Sequence, residues 1–293
     1  MTLTAADDRR HKLEPDEHEA FYFPFTSPDG TVHGFVRTLF ARDAVLEMVA
    51  LHAGDHAWAH QSRAMLSGDP APPADASGPT LKMTCHEPWQ AWHCLFDGTV
   101  HSVGEGAPLP AKLDLTFAAA NEPAVFGYGR YRQAQQDGRL DGHLQVGAET
   151  WTGELVCYRD HSWGQRPMGA AAHWMIASAP GHFYVVVIQM GGQQLSFGRI
   201  TTPDGKSVPV RAPTIAAADG GWRIEDPEAG LAAWQVRRLA PPLVAYLGVA
   251  GQETLRDEPI PGDLYRDDIG PVVFTAPHGD QLVGFLEQAR RLT

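Results

Sequence analysis

Apolar and polar residues alternate with a two-residue period along most of this chain. Leu81, Met83 and Cys85 share one face, as do Trp92, Cys94 and Phe96, and then Leu113, Leu115 and Phe117. That period marks half-buried β-strands. Turn formers punctuate it at Pro28-Asp29-Gly30, Pro180-Gly181 and Pro203-Asp204-Gly205, and four prolines make 69–79 a loop. Further strands are predicted over 31–40, 45–51, 128–133, 140–146, 151–158, 173–178, 183–190, 194–200, 206–210, 221–224, 233–239 and 243–249. Only 280–291 reads as a helix, because Leu282, Phe285, Leu286 and Ala289 recur at helical spacing. Roughly fifteen short strands or more, with no strand–helix–strand alternation, imply an all-β chain of barrels or sandwiches.

Composition narrows this picture. A length of 293 residues allows two ordinary domains, and 43% hydrophobic with 20% charged residues is normal for a packed core. The net charge of −12 argues against nucleic acid and anionic membrane surfaces as partners. No run reaches the ~18 apolar residues of a transmembrane segment. Residues 1–19 are polar and acidic and are expected to form a flexible arm rather than a signal peptide. The small residues of 168–172 suggest a junction, giving domains over 20–168 and 169–293. Three cysteines, Cys85, Cys94 and Cys157, form no ligand spacing and read as reduced thiols of a cytoplasmic protein.

Candidate chemistry concentrates in one stretch. His52, His56 and His60 recur every fourth residue, but no carboxylate or cysteine accompanies them in a ligand pattern, so no metal is expected. Nucleotide-binding glycine loops, a Walker lysine, Gly-x-Ser-x-Gly and His-Glu-x-x-His are absent, so no cofactor is expected. The dense stretch is Tyr158-Arg159-Asp160-His161-Ser162-Trp163-Gly164-Gln165-Arg166. On a strand Tyr158 and Asp160 look into the same space and Arg159 looks away. A phenol and a carboxyl so placed can hydrogen-bond a common substrate or water. A polar strand end, with Asp160 capping a turn and Arg159 paired to a surface acid, is the competing reading. Gly164 ends the strand, and Arg166 is expected to clamp structure by binding carbonyls or a carboxylate.

The Tyr-Arg-Asp-His-Ser-Trp-Gly-x-Arg motif resembles the signature of the carotenoid 1,2-hydratase superfamily, the AttH-like or kievitone hydratase-like group that also includes fungal Diels–Alderases. Flanking segments fit, with Tyr128-Gly-Arg-Tyr131-Arg-Gln133 upstream and His173-Trp174-Met175 downstream. The resemblance implies two lipocalin-like antiparallel β-barrel domains in tandem, here with a short C-terminal helix, and a pocket for a small hydrophobic substrate. It also implies Tyr158 and Asp160 as the catalytic pair. Asp160 would protonate a C=C, Tyr158 would orient the acid or the water, and His161 or His173 would take the proton back. Trp163, Trp174, His173, Tyr131, Trp89 and Trp92 would line the substrate. The chain lacks the superfamily's upstream His-x-Trp and an amphipathic membrane-facing segment. The implied substrate is therefore a smaller terpenoid or prenylated compound rather than a carotenoid. The expected activity is a cofactor-free lyase of the hydratase type, or an isomerase. A pericyclic cyclase and a lipocalin-type carrier of lipophiles are the alternatives.

Overall fold

The structure is a computed structural model that describes residues 3–66, 75–103, 106–165, 171–202, 206–248, 253–256 and 258–292. Beyond one 3-10 turn at Ala5–Asp8, every described element is a strand. The first sheet contains β1 (His18–Thr26), β2 (Val32–Phe40), β3 (Ala44–Ala53), β4 (His56–Met65), β5 (Leu81–Glu87), β6 (Ala91–Ser102), β7 (Leu109–Ala119), β8 (Ala124–Tyr128), β9 (Tyr131–Val146) and β10 (Glu149–Gly164). The second contains β11 (Ala171–Ala179), β12 (Phe183–Met190), β13 (Gln193–Thr201), β14 (Ser207–Pro209), β15 (Thr214–Ala218), β16 (Gly221–Asp226), β17 (Leu231–Arg238), β18 (Leu243–Gly248), β19 (Glu253–Leu255), β20 (Asp263–Thr275) and β21 (Gln281–Arg291). Two compact units result, residues 1–27 with 34–166, and 28–33 with 167–293. The junction expected at 168–169 lies outside the described residues.

In the first sheet the order is β10-β1-β2-β3-β4-β6-β7-β9-β8, and β9 pairs with β10 as well, so the run of paired strands returns to its start. The alternating residues named above form its interior: Trp92, Phe96, Leu115 and Phe117 are fully buried. Phe23 meets the Phe117 ring edge-on at 5.4 Å and Phe21 lies 5.2 Å from the Trp92 ring. Each buried ring contributes roughly 2–3 kcal/mol by leaving water. The second sheet runs β14-β13-β12-β11-β21-β20-β17-β16-β15. Its core combines Phe183, Val185, Val236, Phe274 and Leu286.

Three expectations change. The predicted C-terminal helix is β21, hydrogen-bonded between β11 and β20. Both of its faces carry buried residues, such as Phe285 and Leu286, which hides the two-residue period behind a helix-like spacing. Gly284 marks the strand, since a Cβ there would lie 2.1 Å from the Ser178 carbonyl oxygen of β11. Second, the segment 128–133 is a hairpin: Gly129 turns at φ +57, and β9 then runs for sixteen residues. Third, the N-terminal residues differ from a solvated arm, because Asp8 and Arg10 are buried.

The three histidines at four-residue spacing do not converge. His52 is buried, His56 is exposed beside Trp58, and His60 bonds Glu47. His60 Nδ1 donates to the Thr99 carbonyl at 2.9 Å and Nε2 lies 3.0 Å from Glu47 Oε1. Glu47 also accepts the backbone N–H groups of Thr80 and Leu81, which fixes the start of β5 against β3. Burial pushes the Glu47 carboxyl up, but these hydrogen bonds outweigh it and hold it below 4.5. The bond to Glu47 raises His60 above 6.5 against the opposing effect of burial. A lowered acid stabilises above its unfolded pKa, and a raised base stabilises below its own. The pair should therefore contribute most between pH 4.5 and 6.5. Urea unfolding of wild type and His60→Gln should show the largest stability gap in that window, shrinking towards pH 8. A gap independent of pH would contradict the assignment.

Candidate functional site

Strand β10 carries the motif and uses both of its faces. In an antiparallel ladder, directly opposed residues share a face. Asp160 opposes Gln135 on β9 and Tyr22 on β1, and Tyr158 opposes Asp137. Arg159 opposes Gln136, and His161 opposes Ala134 and Phe21. Thus Tyr158, Asp160 and Ser162 project to one side, while Arg159, His161 and Trp163 project to the other.

On the second side, Arg159 is buried and forms an ion pair with Asp8 through Nη2 and Oδ1. Its guanidinium carbon sits 4.9 Å from the Trp89 ring centroid and 5.4 Å from that of Trp92. Asp8 Oδ2 also accepts the Trp89 backbone N–H at 2.5 Å and the Trp92 indole N–H at 3.0 Å. Trp89 is the one described non-glycine residue at positive φ, +60. A bulky residue in that region is strained, and here it is held from every polar atom. Its indole N–H donates to the Thr4 carbonyl at 2.7 Å, and its own carbonyl accepts the Gln136 amide at 2.7 Å.

Beside this cage His161 is fully buried, stacked on Phe21 at 4.0 Å. Its Nε2 lies 2.8 Å from Glu19 Oε1, and His11 Nδ1 lies 2.7 Å from the same oxygen. The His11 ring stacks on Trp163 at 4.6 Å. Burial drives His161 towards the neutral imidazole, more strongly than Glu19 drives it back. Burial alone would push the Glu19 carboxyl up, yet the bonds from His11 and His161 bring it below its ordinary value. The arrangement is a carboxylate accepting N–H bonds from both rings.

On the first side, Gln133 donates its amide N–H to Asp160 Oδ2 and accepts the Tyr131 hydroxyl at 3.1 Å. Tyr158 is buried, and its ring meets Tyr22 edge-on at 6.2 Å. Gln135 and Asp137 continue the same polar row, bonded to each other at 3.0 Å. Asp160 is partly exposed, unlike its neighbours in the row. A half-open carboxyl flanked by phenols can exchange a proton with a bound molecule.

Of the sequence-predicted residues, Tyr158, Asp160 and Tyr131 gather on this first side. His161, Trp163, Trp89 and Trp92 gather on the other side of β10, Trp89 and Trp92 against Arg159 and Trp163 against His161 and His11. Gly164 adopts φ +96, and a Cβ there would lie 2.2 Å from the Arg130 carbonyl oxygen, so only glycine closes this strand end. Arg166 lies outside the described residues. In the second unit, His173 is exposed on β11 and the Trp174 indole N–H donates to Glu287 at 2.9 Å. Sequence reasoning missed Asp8, His11 and Glu19, which sit in a segment without periodicity. Gln133 lay within the aromatic segment already singled out, two residues from Tyr131.

With this geometry in view, solved structures of the same fold cover nearly the whole chain. An AttH-like protein from Nitrosomonas europaea is 13% identical over 98% of this chain and 96% of its own, with a TM-score of 0.63. Kievitone hydratase from Nectria haematococca is 11% identical over 98% and 94%, at 0.56. CghA, solved with Sch210972, is 12% identical over 96% and 90%, at 0.54. The fold is therefore that of the AttH and kievitone hydratase group, as the motif's resemblance implied. Residues 4–222 match the model of a family described as a domain of unknown function, DUF7064, and the chain belongs to that family. No curated protein matches it by sequence.

The Asp8–Arg159 pair generates a direct test. Asp8→Asn leaves a buried guanidinium uncompensated and should cost about 3–5 kcal/mol in chemical unfolding. The double variant Asp8→Leu/Arg159→Met removes both charges and should be more stable than either single variant. Single variants within about 0.5 kcal/mol of wild type would place the residues in solvent instead.

Proposed function

We propose that this protein is a cofactor-free hydratase or isomerase acting on a C=C of a small terpenoid or prenylated hydrophobic substrate, with Asp160 as the proton donor. The supporting observation is the disposition of Asp160: partly exposed, on one face with Tyr158, and oriented by Gln133, which Tyr131 in turn orients. Hydration begins when the Asp160 carboxyl gives its proton to one alkene carbon, leaving a tertiary cation on the other. The rings of Tyr22, Tyr158 and Tyr131 offer their negative faces to that cation. Water, held by the Tyr158 phenol, then adds to the cation, and the resulting oxonium returns a proton to the Asp160 carboxylate. Loss of a different proton, without water addition, gives an isomer. His161 takes no part in this sequence, because it projects from the opposite face of β10 and is bonded to Glu19.

A cyclising activity is the second reading, favoured by the likeness to CghA solved with Sch210972. It would use the phenols and amides of the same face as hydrogen-bond donors, with Asp160 less critical. The two readings separate in ¹⁸O-labelled water, with a panel of monoterpene alcohols, prenylated phenols and short polyenes read by mass spectrometry. Hydratase chemistry predicts label in the product with wild type and its loss by a hundredfold or more, about 3 kcal/mol of barrier, with Asp160→Asn. Label that persists in Asp160→Asn removes Asp160 from the acid's role. A product of unchanged mass, without label, favours isomerisation or cyclisation. Retained ligand without turnover favours a carrier.

A further inference from the structure

We propose that His11, Glu19 and His161 form a binding site for a divalent transition-metal ion of the zinc type, apart from the face assigned to catalysis. Among the described residues this is the one group of three potential ligands whose donor atoms converge, all within 4.8 Å of one another. Two imidazoles and one carboxylate are a donor set that zinc accepts, leaving a fourth position for water. Glu19 and His161 are fully buried, and the aromatic rings of Phe21 and Trp163 wall the site. Burial favours the neutral form of His161, the form a metal needs.

The distances show what binding would require. Both ring nitrogens now lie 2.7 and 2.8 Å from Glu19 Oε1, as hydrogen-bond donors. Ligands of a tetrahedral zinc stand about 3.3 Å from one another. The two ring–carboxylate spacings must therefore open by roughly half an ångström, while the two ring nitrogens, within 4.8 Å of each other, come to the same separation. His11 can supply this movement, since it lies between the 3-10 turn and β1, outside both sheets, with its side chain 24% exposed. In the same step each ring proton moves to its other nitrogen. For His161 that nitrogen is Nδ1, which is buried without a hydrogen-bond partner. For His11 it is Nε2, also buried without a hydrogen-bond partner, with Asp7 Oδ1 at 3.9 Å as a carboxylate that could turn to support it. Glu19 Oε2 keeps the backbone N–H of His11 at 3.0 Å while Oε1 turns to the ion. The ion would tie the N-terminal segment to β1 and β10 with bonds stronger than the hydrogen bonds it replaces.

The test uses the full chain, stripped with EDTA and titrated with Zn²⁺ by calorimetry and with Co²⁺ by visible absorption. The expected result is one ion per chain and the intense d–d bands of four-coordinate Co²⁺. His11→Gln alters a half-buried side chain outside the strands and so preserves the fold. It should weaken Zn²⁺ roughly a hundredfold and abolish the Co²⁺ bands. Glu19→Gln should do the same. The chain has 14 histidines, so stray binding must be distinguished. Zn²⁺ affinity unchanged by His11→Gln would overturn the proposal, as would a Co²⁺ spectrum of six-coordinate type or no binding at all. The trio would then be a hydrogen-bonded clasp alone.

Discussion

The buried charge pair of Asp8 and Arg159 is the constraint on which the rest of the first unit depends. Taking a guanidinium and a carboxylate out of water costs several kcal/mol for each ion before any attraction is counted. The structure offsets that cost by surrounding the carboxylate with donors and the guanidinium with aromatic faces, although Arg159 Nε stays without a hydrogen-bond partner. Asp8 accepts from Arg159, from the Trp89 backbone and from the Trp92 indole, and Arg159 lies against the faces of both indoles. Each contact joins a different piece of chain. The N-terminal turn, the β5–β6 connection and the motif strand meet at one carboxylate. Trp89 can hold its left-handed backbone because its N–H, carbonyl and ring nitrogen are all bonded. Removing Asp8 would therefore release strain and expose a charge together.

That arrangement divides β10 between two tasks. A strand with one wet face normally assigns its polar residues to solvent. Here polar side chains leave both faces, and most are buried. On one face the polar atoms meet partners of opposite character and are fixed: Arg159 with Asp8, His161 with Glu19. On the other they form a row of amides, phenols and carboxyls, Gln133, Gln135, Asp137, Tyr158 and Asp160, that can both donate and accept. The first face gives the second its rigidity, because a strand locked by the Arg159–Asp8 ion pair and the His161–Glu19 bond resists rolling. The density of chemistry in the motif thus has two origins, and residue type alone does not separate them.

Much of the fold was legible because burial on one face leaves a two-residue period. Leu81, Met83 and Cys85, or Leu113, Leu115 and Phe117, could be placed on strands from spacing alone. The period failed where both faces are covered. In 281–291 the buried residues Phe285, Leu286 and Ala289 mimic a helix, and the pairing with β11 and β20 that decides the matter is invisible locally. The hairpin at Gly129 was hidden by tyrosines on both sides of a two-residue turn. For the site, alternation correctly put Tyr158 and Asp160 together and Arg159 opposite. It could not reveal Asp8 or Glu19, whose partners Arg159 and His161 lie 151 and 142 residues away in sequence, nor His11, which joins them through Glu19. A polar segment without periodicity looks the same whether it is solvated or inserted.

Comparing Asp8 with Asp160 shows how environment assigns a role to the same side chain. Asp8 is fully buried and paired with the Arg159 guanidinium. Asp160 accepts the amide N–H of Gln133 and is partly exposed. Partial exposure gives it access to water, and the Tyr131 hydroxyl donates to the Gln133 amide that holds it. Two carboxyls on opposite sides of one strand thus stand in opposite surroundings: one is sealed against a guanidinium and two indoles, and the other lies at the open edge of a polar row.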